Sequence, residues 1–289
     1  MPPAALFPDS EGLTRWSIVS EEVGAVHTGF GIVTVQPGGF ATAHVHSFEE
    51  CVFVLEGEVI LRTPDAGVLL KPGDYGLVPV GVPHAWHNDN ARPARWADMF
   101  APQPRARFAF DTFRVPELPE LDAIALDVRD PRTRSYGSIR AEHMDPRRQS
   151  QELLAVSASM RTALLVYSGI SVKMMVDSDL GAVLSTMFMV QYDADGAAGR
   201  HDHPFEETYL ILDGVVDATF DDTTYRLAPG DVAWAGAGCV HGFAAVGEPV
   251  RWLETQAPQP PSRHSYRFAR DWDYLTQILE KGRFHDRAS

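Results

Sequence analysis

Short runs of apolar and β-branched residues, each closed by glycine, proline or aspartate, follow one another along most of the chain. Gly31 to Val35, Cys51 to Leu55 and Tyr75 to Val78 are representative. Apolar runs of about four to eight residues between turn-forming residues are typical of β-strands. Since no helical pattern intervenes between successive runs, we expect an antiparallel barrel or sandwich rather than alternating strands and helices.

The chain contains this pattern twice. The histidine pair His44 and His46 returns 157 positions later as His201 and His203. The same offset relates other residues to their copies, namely Gly24 to Gly181, Gly73 to Gly230, Gly81 to Gly238 and His84 to His241. One offset held over so much of the sequence indicates an internal repeat of a single structural unit.

Two segments outside the repeat carry helical patterns. Apolar residues recur at helical spacing between Gln149 and Leu165, and the stretch from Trp272 to Leu279 is similar, so each predicts a helix. The predicted organisation is an N-terminal barrel at 1–104, a linker with a helix at 105–172, a C-terminal barrel at 173–260 and a tail with a helix at 261–289.

Alternation along the repeated strand gathers chemically active groups on one side. If the segment is extended, His44, His46 and Glu50 share one face with apolar neighbours. The equivalent residues of the second copy are His201, His203 and Glu207. The alternate positions Glu49 and Glu206 are expected to face out of the barrels. Imidazoles and a carboxylate on an apolar face are costly to bury unless they share a partner, and a divalent cation is such a partner.

The donor types narrow the choice of metal. Neutral imidazoles with one carboxylate suit Mn, Fe, Ni, Zn or Cu rather than the all-oxygen shells of Ca and Mg. A third imidazole is expected from His84 in the first copy and from His241 in the second. The predicted metal ligands are therefore His44, His46, Glu50 and His84 for one ion, and His201, His203, Glu207 and His241 for another. Four protein ligands leave up to two positions of a six-coordinate ion open, which favours catalysis over a structural role.

The same alternation predicts the surroundings of each metal. The expected aromatic wall residues are Phe48 and Trp86 in the first barrel and Phe205 and Phe243 in the second. Tyr209 brings a proton into the second pocket and is a candidate acid–base residue, whereas Val52 holds the equivalent position in the first. The metal-binding carboxylates Glu50 and Glu207 are the other catalytic candidates.

Each copy resembles the cupin superfamily, whose two motifs read G-x5-HxH-x3,4-E-x6-G and G-x5-PxG-x2-H-x3-N. The first copy matches at every motif position, with Gly38, His44, His46, Glu50, Gly57, Gly73, Pro79, Gly81, His84 and Asn88. The second departs at Asp195, Gly236 and Ala245, none of which is a ligand position. The chain as a whole resembles a bicupin, which implies an all-β protein of two double-stranded β-helix barrels.

The resemblance also implies a function. Quercetinase-like and other bicupin dioxygenases suggest a metal-dependent dioxygenase acting on a small enol, diketone or aromatic hydroxy-type substrate, and cupins are commonly homodimers. A non-redox hydrolase, isomerase or decarboxylase, similar to ureidoglycine aminohydrolase or oxalate decarboxylase, stays open. So does a non-catalytic small-molecule-binding bicupin similar to the seed-storage proteins. The three-residue spacing between His46 and Glu50 departs from the pattern of oxalate decarboxylases. The intact set of ligand residues departs from the patterns of ureidoglycine aminohydrolases and of seed-storage bicupins.

Charge and composition exclude several partners. Lys and Arg number 25 against 39 Asp and Glu, and the resulting net charge of −14 disfavours nucleic acids and anionic membrane surfaces. No apolar run reaches the roughly 18 residues of a membrane span, and Met1 to Arg15 lacks a signal-peptide pattern. Two cysteines, Cys51 and Cys239, provide no disulfide framework. We expect a cytoplasmic protein whose partner is a small-molecule substrate.

Overall fold

The structure is a computed structural model that describes residues 7, 9–127, 129–145, 167–259 and 267–268. The two helices predicted between Gln149 and Leu165 and between Trp272 and Leu279 lie outside these residues. The helical elements within them are short 3-10 turns at Glu21–Val23, Ala106–Asp111, Pro131–Thr133 and Ala141–Met144. Among the described residues, no helix has the length and apolar character needed to cross a membrane.

Within the described residues, eleven strands form the first sheet. They are β1 (Glu11–Val19), β2 (Gly29–His46), β3 (Glu49–Glu56), β4 (Val59–Arg62), β5 (Gly67–Leu70), β6 (Asp74–Val78), β7 (His84–His87), β8 (Ala94–Ala101), β9 (Thr112–Arg114), β10 (Ala123–Ala125) and β11 (Tyr136–Ser138). The strand order is β10-β5-β4-β7-β2-β8-β3-β6-β11, and β1 and β9 also pair with β2. The long strand β2 therefore joins both halves of the first barrel.

In the part of the chain that the structure describes, nine strands form the second sheet on the same plan. They are β12 (Tyr167–Val176), β13 (Thr186–Asp202), β14 (Glu206–Asp213), β15 (Val216–Phe220), β16 (Thr223–Leu227), β17 (Val232–Ala235), β18 (His241–Ala245), β19 (Val250–Ala257) and β20 (Arg267–Phe268). The strand order is β16-β15-β18-β13-β19-β14-β17, with β12 and β20 on β13. The prediction of an all-β chain with two double-stranded β-helix barrels is confirmed.

Part of the predicted linker belongs to the first sheet. Strand β9 pairs with β2, β10 runs parallel to β5, and β11 pairs antiparallel with β6. The segment after residue 104 thus returns three times to the first barrel before β12 begins the second. The predicted domain boundaries at 104, 172 and 260 stay predictions.

The buried apolar residues that the structure describes form three clusters. One fills the first barrel and includes Val52, Trp86 and Trp96, and a second fills the other barrel around Tyr209 and Trp252. The third lies between the barrels. Its members from both copies include Cys51, Phe53, Leu77, Met99, Met187, Met189, Leu210 and Leu253. Because β3 and β14 are buried on both faces, their alternate residues serve a barrel interior and this shared cluster in turn.

Glu49 and Glu206 join the two barrels. Both point away from the predicted metal ligands, as expected, but they are 1% and 3% exposed rather than in solvent. The Glu206 carboxylate accepts hydrogen bonds of 2.8–3.0 Å from the backbone N–H groups of residues 26–28. The Glu49 carboxylate accepts bonds of 2.6–3.0 Å from two backbone N–H groups and one hydroxyl of residues 183–185. Each barrel therefore holds a loop of the other through a buried carboxylate.

Candidate metal centres

Three strands bring the first set of predicted ligands together. His44 and His46 lie on β2 with one residue between them, so both side chains enter the barrel. His84 on β7 is the direct cross-strand partner of His44. Glu50 comes from β3, which follows β2 along the chain and is separated from it in the sheet by β8. All four residues are buried.

The second barrel repeats the arrangement on its own strands. His201 and His203 lie on β13, His241 on β18 is the cross-strand partner of His201, and Glu207 is the second residue of β14. The rings of His201 and His241 are 4.4 Å apart, against 4.2 Å for His44 and His84. The repeat therefore preserves the ligand geometry as well as the ligand residues.

The ligand atoms of each set lie within reach of one ion. In the first barrel, Oε2 of Glu50 is 3.3 Å from Nε2 of both His46 and His84. In the second, Oε2 of Glu207 is 2.8 Å from Nε2 of His203 and 3.2 Å from Nε2 of His241. Two three-residue groups have all their ligand atoms within 4.8 Å of one another, namely His46, Glu50 and His84, and His201, His203 and His241.

Backbone carbonyls orient all six imidazoles. Each ring has its Nδ1 within 2.6–3.0 Å of a carbonyl oxygen. The carbonyls belong to Thr42, Phe48, Val82, Gly199, Phe205 and Cys239. A carbonyl only accepts, so Nδ1 carries the proton and the Nε2 lone pair faces the barrel interior. This outer-shell contact is the usual means of fixing a metal-binding histidine.

The donor set fits a divalent transition metal. Within the described residues, Nε2 of His44 and Oε1 of Glu50 are buried without a hydrogen-bond partner. With the Nδ1 protons turned to carbonyls, Nε2 lone pairs and carboxylate oxygens face each other in each barrel. This packing is repulsive unless a cation, or a proton in its place, lies between them. Three imidazoles with one carboxylate are ligands for Mn, Fe, Ni, Zn or Cu.

Burial and neighbouring charges keep several of the predicted ligands unprotonated at neutral pH. Burial, and then the neighbouring His84, lower the pKa of His44 from 6.5 to about 3. Burial and His241 lower the pKa of His201 to about 3 in the same way. Burial alone would raise the pKa of Glu50, but the neighbouring imidazoles of His46 and His84 together outweigh burial and lower that pKa to about 2. At neutral pH these groups hold no proton that a metal would have to displace.

The predicted aromatic residues occupy different places. Phe48 stacks on the His46 ring at 3.9 Å, and Phe205 stacks on the His203 ring at 3.8 Å, so both hold a ligand in position. Trp86 is fully buried against another indole, that of Trp96, at 4.5 Å. Phe243 packs against Tyr209 at 4.8 Å.

A buried polar network surrounds Glu207 in the second barrel. The Tyr209 hydroxyl donates to Oε2 of Glu207, and the Gln256 amide donates to Oε1. Glu254, two residues before Gln256 on β19, accepts a 2.9 Å bond from the Trp252 indole. Burial, and then the charge of Glu207, raise the pKa of Glu254 well above its ordinary value. Both oxygens of the metal-binding carboxylate are thus held from outside the ligand set.

Different residues surround the predicted ligands of the first barrel. Phe7, which is 1% exposed, lies edge-on to the His44 ring at 5.9 Å. Asp98 stands where Glu254 stands in the second copy, and it forms a buried bidentate pair with Arg15 at 2.6–2.9 Å. The Arg15 guanidinium lies over the Phe100 ring, whose counterpart in the repeat is Gln256.

Comparison with protein families identifies the repeated unit. The model of the cupin domain matches residues 31–100 and 188–255, and these two segments contain both sets of four predicted ligands. The chain contains two cupin domains. It is therefore a bicupin, as the motifs of the sequence indicate, and its two matched regions coincide with the two barrels.

Solved structures share the fold of this bicupin at low sequence identity. Salicylate 1,2-dioxygenase from Pseudoaminobacter salicylatoxidans, with gentisate, has a TM-score of 0.63 at 15% identity, covering 84% of this chain and 73% of that one. A variant of oxalate decarboxylase from Bacillus subtilis has a TM-score of 0.60 at 14% identity, covering 94% and 82%. A putative glyoxylate-induced protein from Pseudomonas aeruginosa has a TM-score of 0.59 at 16% identity, covering 89% and 83%. No curated protein sequence matches the bicupin.

Sequence reasoning missed several residues near the two sites. Gln256 carried a usable signal, because it alternates with Trp252 and Glu254 on a strand inside the repeat. Phe7 and Tyr136 carried none, since both lie outside the repeated segments and reach the first barrel only through the tertiary fold.

Proposed function

We propose that the bicupin is a metal-dependent dioxygenase acting on a small enol, diketone or aromatic hydroxy-type substrate. The observation that carries this proposal is the pair of buried clusters, each of three imidazoles and one carboxylate in an aromatic interior. The fold similarity to a salicylate dioxygenase with gentisate, an aromatic hydroxy acid, supports the substrate class.

A redox-active divalent metal held by these residues would supply a centre where dioxygen and a chelating substrate react. The protein's contribution is to orient the donors. Carbonyls hold each Nδ1–H, Phe48 and Phe205 hold two of the rings, and the glutamates leave a divalent ion with about one net positive charge. That charge attracts an anionic oxygen of the substrate.

Tyr209 is the proposed substrate-facing acid of the second barrel. Burial, and then the charge of Glu207, raise the pKa of Tyr209 well above 10. The hydroxyl therefore keeps its proton at neutral pH and holds it toward Oε2 of Glu207. Because this is its only proton, the hydroxyl donates to a substrate oxygen by turning away from Glu207, and in its protonated form it does not act as a base. We propose that the second barrel turns over substrate, because its own repeat provides this hydroxyl beside Glu207.

The alternative is a non-redox reaction, which the fold similarity to oxalate decarboxylase supports. The identity of the metal, a homodimeric state and a cytoplasmic location are further proposals that rest on the sequence and on the resemblance to cupins. Each is open to direct measurement by elemental analysis, sedimentation and cell fractionation.

Oxygen consumption by Mn- and Fe-loaded protein tests the reaction class. With a panel of gentisate-type acids, catechols, enols and diketones, we expect uptake of oxygen with at least one substrate. Tyr209→Phe should lower kcat by roughly 100-fold with unchanged metal content, because one proton donor is lost. Tyr225→Phe, an exposed tyrosine of the same barrel, is the control. Substrate turnover without oxygen uptake would support the non-redox alternative and overturn the proposal.

A further inference from the structure

The first barrel has Val52 where the second has Tyr209, so its own repeat provides no hydroxyl beside Glu50. A tyrosine from outside the repeat reaches the same region. Tyr136 on β11 is the cross-strand partner of Gly76 on β6, and Gly76 is in turn the partner of Val52 on β3. Directly paired residues point to the same face of a sheet. Tyr136 therefore lies on the face of the sheet that carries Val52 and Glu50.

Gly76 makes room for the tyrosine ring. A Cβ atom added at Gly76 would lie 2.2 Å from Cδ1 of Tyr136, so the ring occupies the space above this glycine. The ring packs against the apolar cluster that fills the first barrel, to which Val52 belongs. Neighbouring strands are about 4.8 Å apart, and the ring leaning across β6 is thus directed toward β3.

The second barrel also has a tyrosine in this region, but the tyrosine comes from a strand of the barrel itself. There Ala233 takes the place of Gly76, and its cross-strand partner is Tyr209 itself. In the described part of the chain, the path of paired strands ends at β17, with no counterpart of β11 beyond it. Each barrel has one tyrosine over this region, supplied by the strand in one case and by the inter-barrel segment in the other.

We propose that Tyr136 gives the first metal pocket the substrate-contacting hydroxyl that Tyr209 gives the second. This inference rests on the proposed function, since it assigns a substrate contact to that same type of site. It makes Tyr136 on β11, which lies in the predicted linker, part of the first pocket.

The electrostatic environments of the two tyrosines agree. Burial, and then the charge of Glu50, raise the pKa of Tyr136. Burial, and then the charge of Glu207, raise the pKa of Tyr209. Each phenol therefore feels the metal-binding carboxylate of its own barrel, and each is a hydrogen-bond donor at neutral pH.

Tyr75 is a matched control on the same pair of strands. It is the cross-strand partner of Gly137, and a Cβ atom on Gly137 would lie 2.4 Å from the Tyr75 ring. Both tyrosines thus cover a glycine. Tyr75 takes the opposite face, however, and packs against the cluster between the barrels. A purely structural role of a tyrosine over a glycine is expected of both residues, whereas a role in the pocket is expected of Tyr136 alone.

The placement is tested with full-length protein that carries 3-fluorotyrosine and has its second site disabled by His203→Ala and His241→Ala. The fluorine signals are assigned by their loss in Tyr136→Phe and Tyr75→Phe. Cobalt(II), confirmed at one equivalent per chain, should shift and broaden the Tyr136 signal more strongly than that of Tyr75. Equal effects on the two signals, or failure to bind cobalt, would overturn the proposal.

The substrate contact is tested on the same cobalt-loaded protein with 4-nitrocatechol as the probe. Tyr136→Phe should weaken binding about fivefold through the loss of one hydrogen bond, while Tyr75→Phe leaves it unchanged. Equal affinities of parent and Tyr136→Phe would overturn the contact. A parent that binds no catechol, although cobalt shifts the Tyr136 signal, would instead count against the proposed function, and the assigned contact would fall with it.

Discussion

The two barrels have the same types of predicted ligand residues, but the residues around those ligands differ. Ring separations between the paired histidines agree to about 0.2 Å, yet Glu207 has both oxygens hydrogen-bonded whereas Oε1 of Glu50 has no partner among the described residues. The motif residues therefore determine where the metal sits. The neighbouring strand positions, which differ between the copies, determine which hydrogen bonds hold the carboxylate ligand.

One substitution pair illustrates how the interiors diverged. In the first barrel, Gly31 leaves space for the Arg15 guanidinium, which a Cβ atom would approach to 2.6 Å. The equivalent residues of the second copy are Phe188 and Val172. The first barrel thus holds an ion pair between Arg15 and Asp98 in a volume that the second fills with apolar side chains.

Arg15→Leu should give the largest difference between the barrels. Removing the guanidinium leaves the Asp98 carboxylate buried without its cation, at a cost of about 3–5 kcal/mol in the free energy of unfolding. Val172→Ala at the equivalent position removes only apolar contacts and should cost about 1 kcal/mol. Urea unfolding measures both changes. Similar losses for the two variants would contradict the asymmetry of the interiors.

The contacts between the barrels should behave alike. Glu49→Ala and Glu206→Ala each remove a buried carboxylate that accepts three hydrogen bonds, leaving the donors of the opposite barrel unsatisfied. We expect each to lower the free energy of unfolding by about 2–3 kcal/mol. Glu56→Ala, which breaks an exposed pair with Arg95, should cost under about 1 kcal/mol. If Glu49→Ala or Glu206→Ala lowers the free energy of unfolding no more than Glu56→Ala does, the proposed stabilising contact between the barrels is refuted.

The smallest predicted difference between the two sites is the number of protons released when metal binds. Burial alone would lower the pKa of His241, but the hydrogen bond and charge of Glu207 raise it above 6.5. The pKa values of His44 and His46 are lowered, chiefly by burial. A raised pKa leaves more of His241 protonated near neutral pH, and metal binding must displace that proton.

Metal added near pH 7 should therefore release more protons from the second site, and affinity there should fall more steeply on acidification. Indicator titrations of His46→Ala, which retains the second site, and of His203→Ala, which retains the first, measure the difference. Greater release from the first site would reverse the sign and reject the account.

The local pattern of the sequence was sufficient to predict much of the fold and of the two candidate sites. The alternation of His44, His46 and Glu50 on one strand face follows from strand geometry, and the structure brings these residues to His84. Alternation also gives the direction of Glu49 but not what covers it, because the second barrel lies beyond any local pattern. Tyr136 reaches the first pocket through a pairing between distant strands, which no periodicity encodes.

The central claim is that both barrels hold a metal ion, and elemental analysis of single-site variants tests it most directly. Protein purified without added metal should contain two transition-metal ions per chain, His46→Ala and His203→Ala about one each, and the double variant close to none. His87→Gln, outside both ligand sets, should match the parent. A parent protein that is folded, remains without metal after exposure to Mn, Fe, Ni, Zn or Cu, and equals its variants in stability would contradict the account.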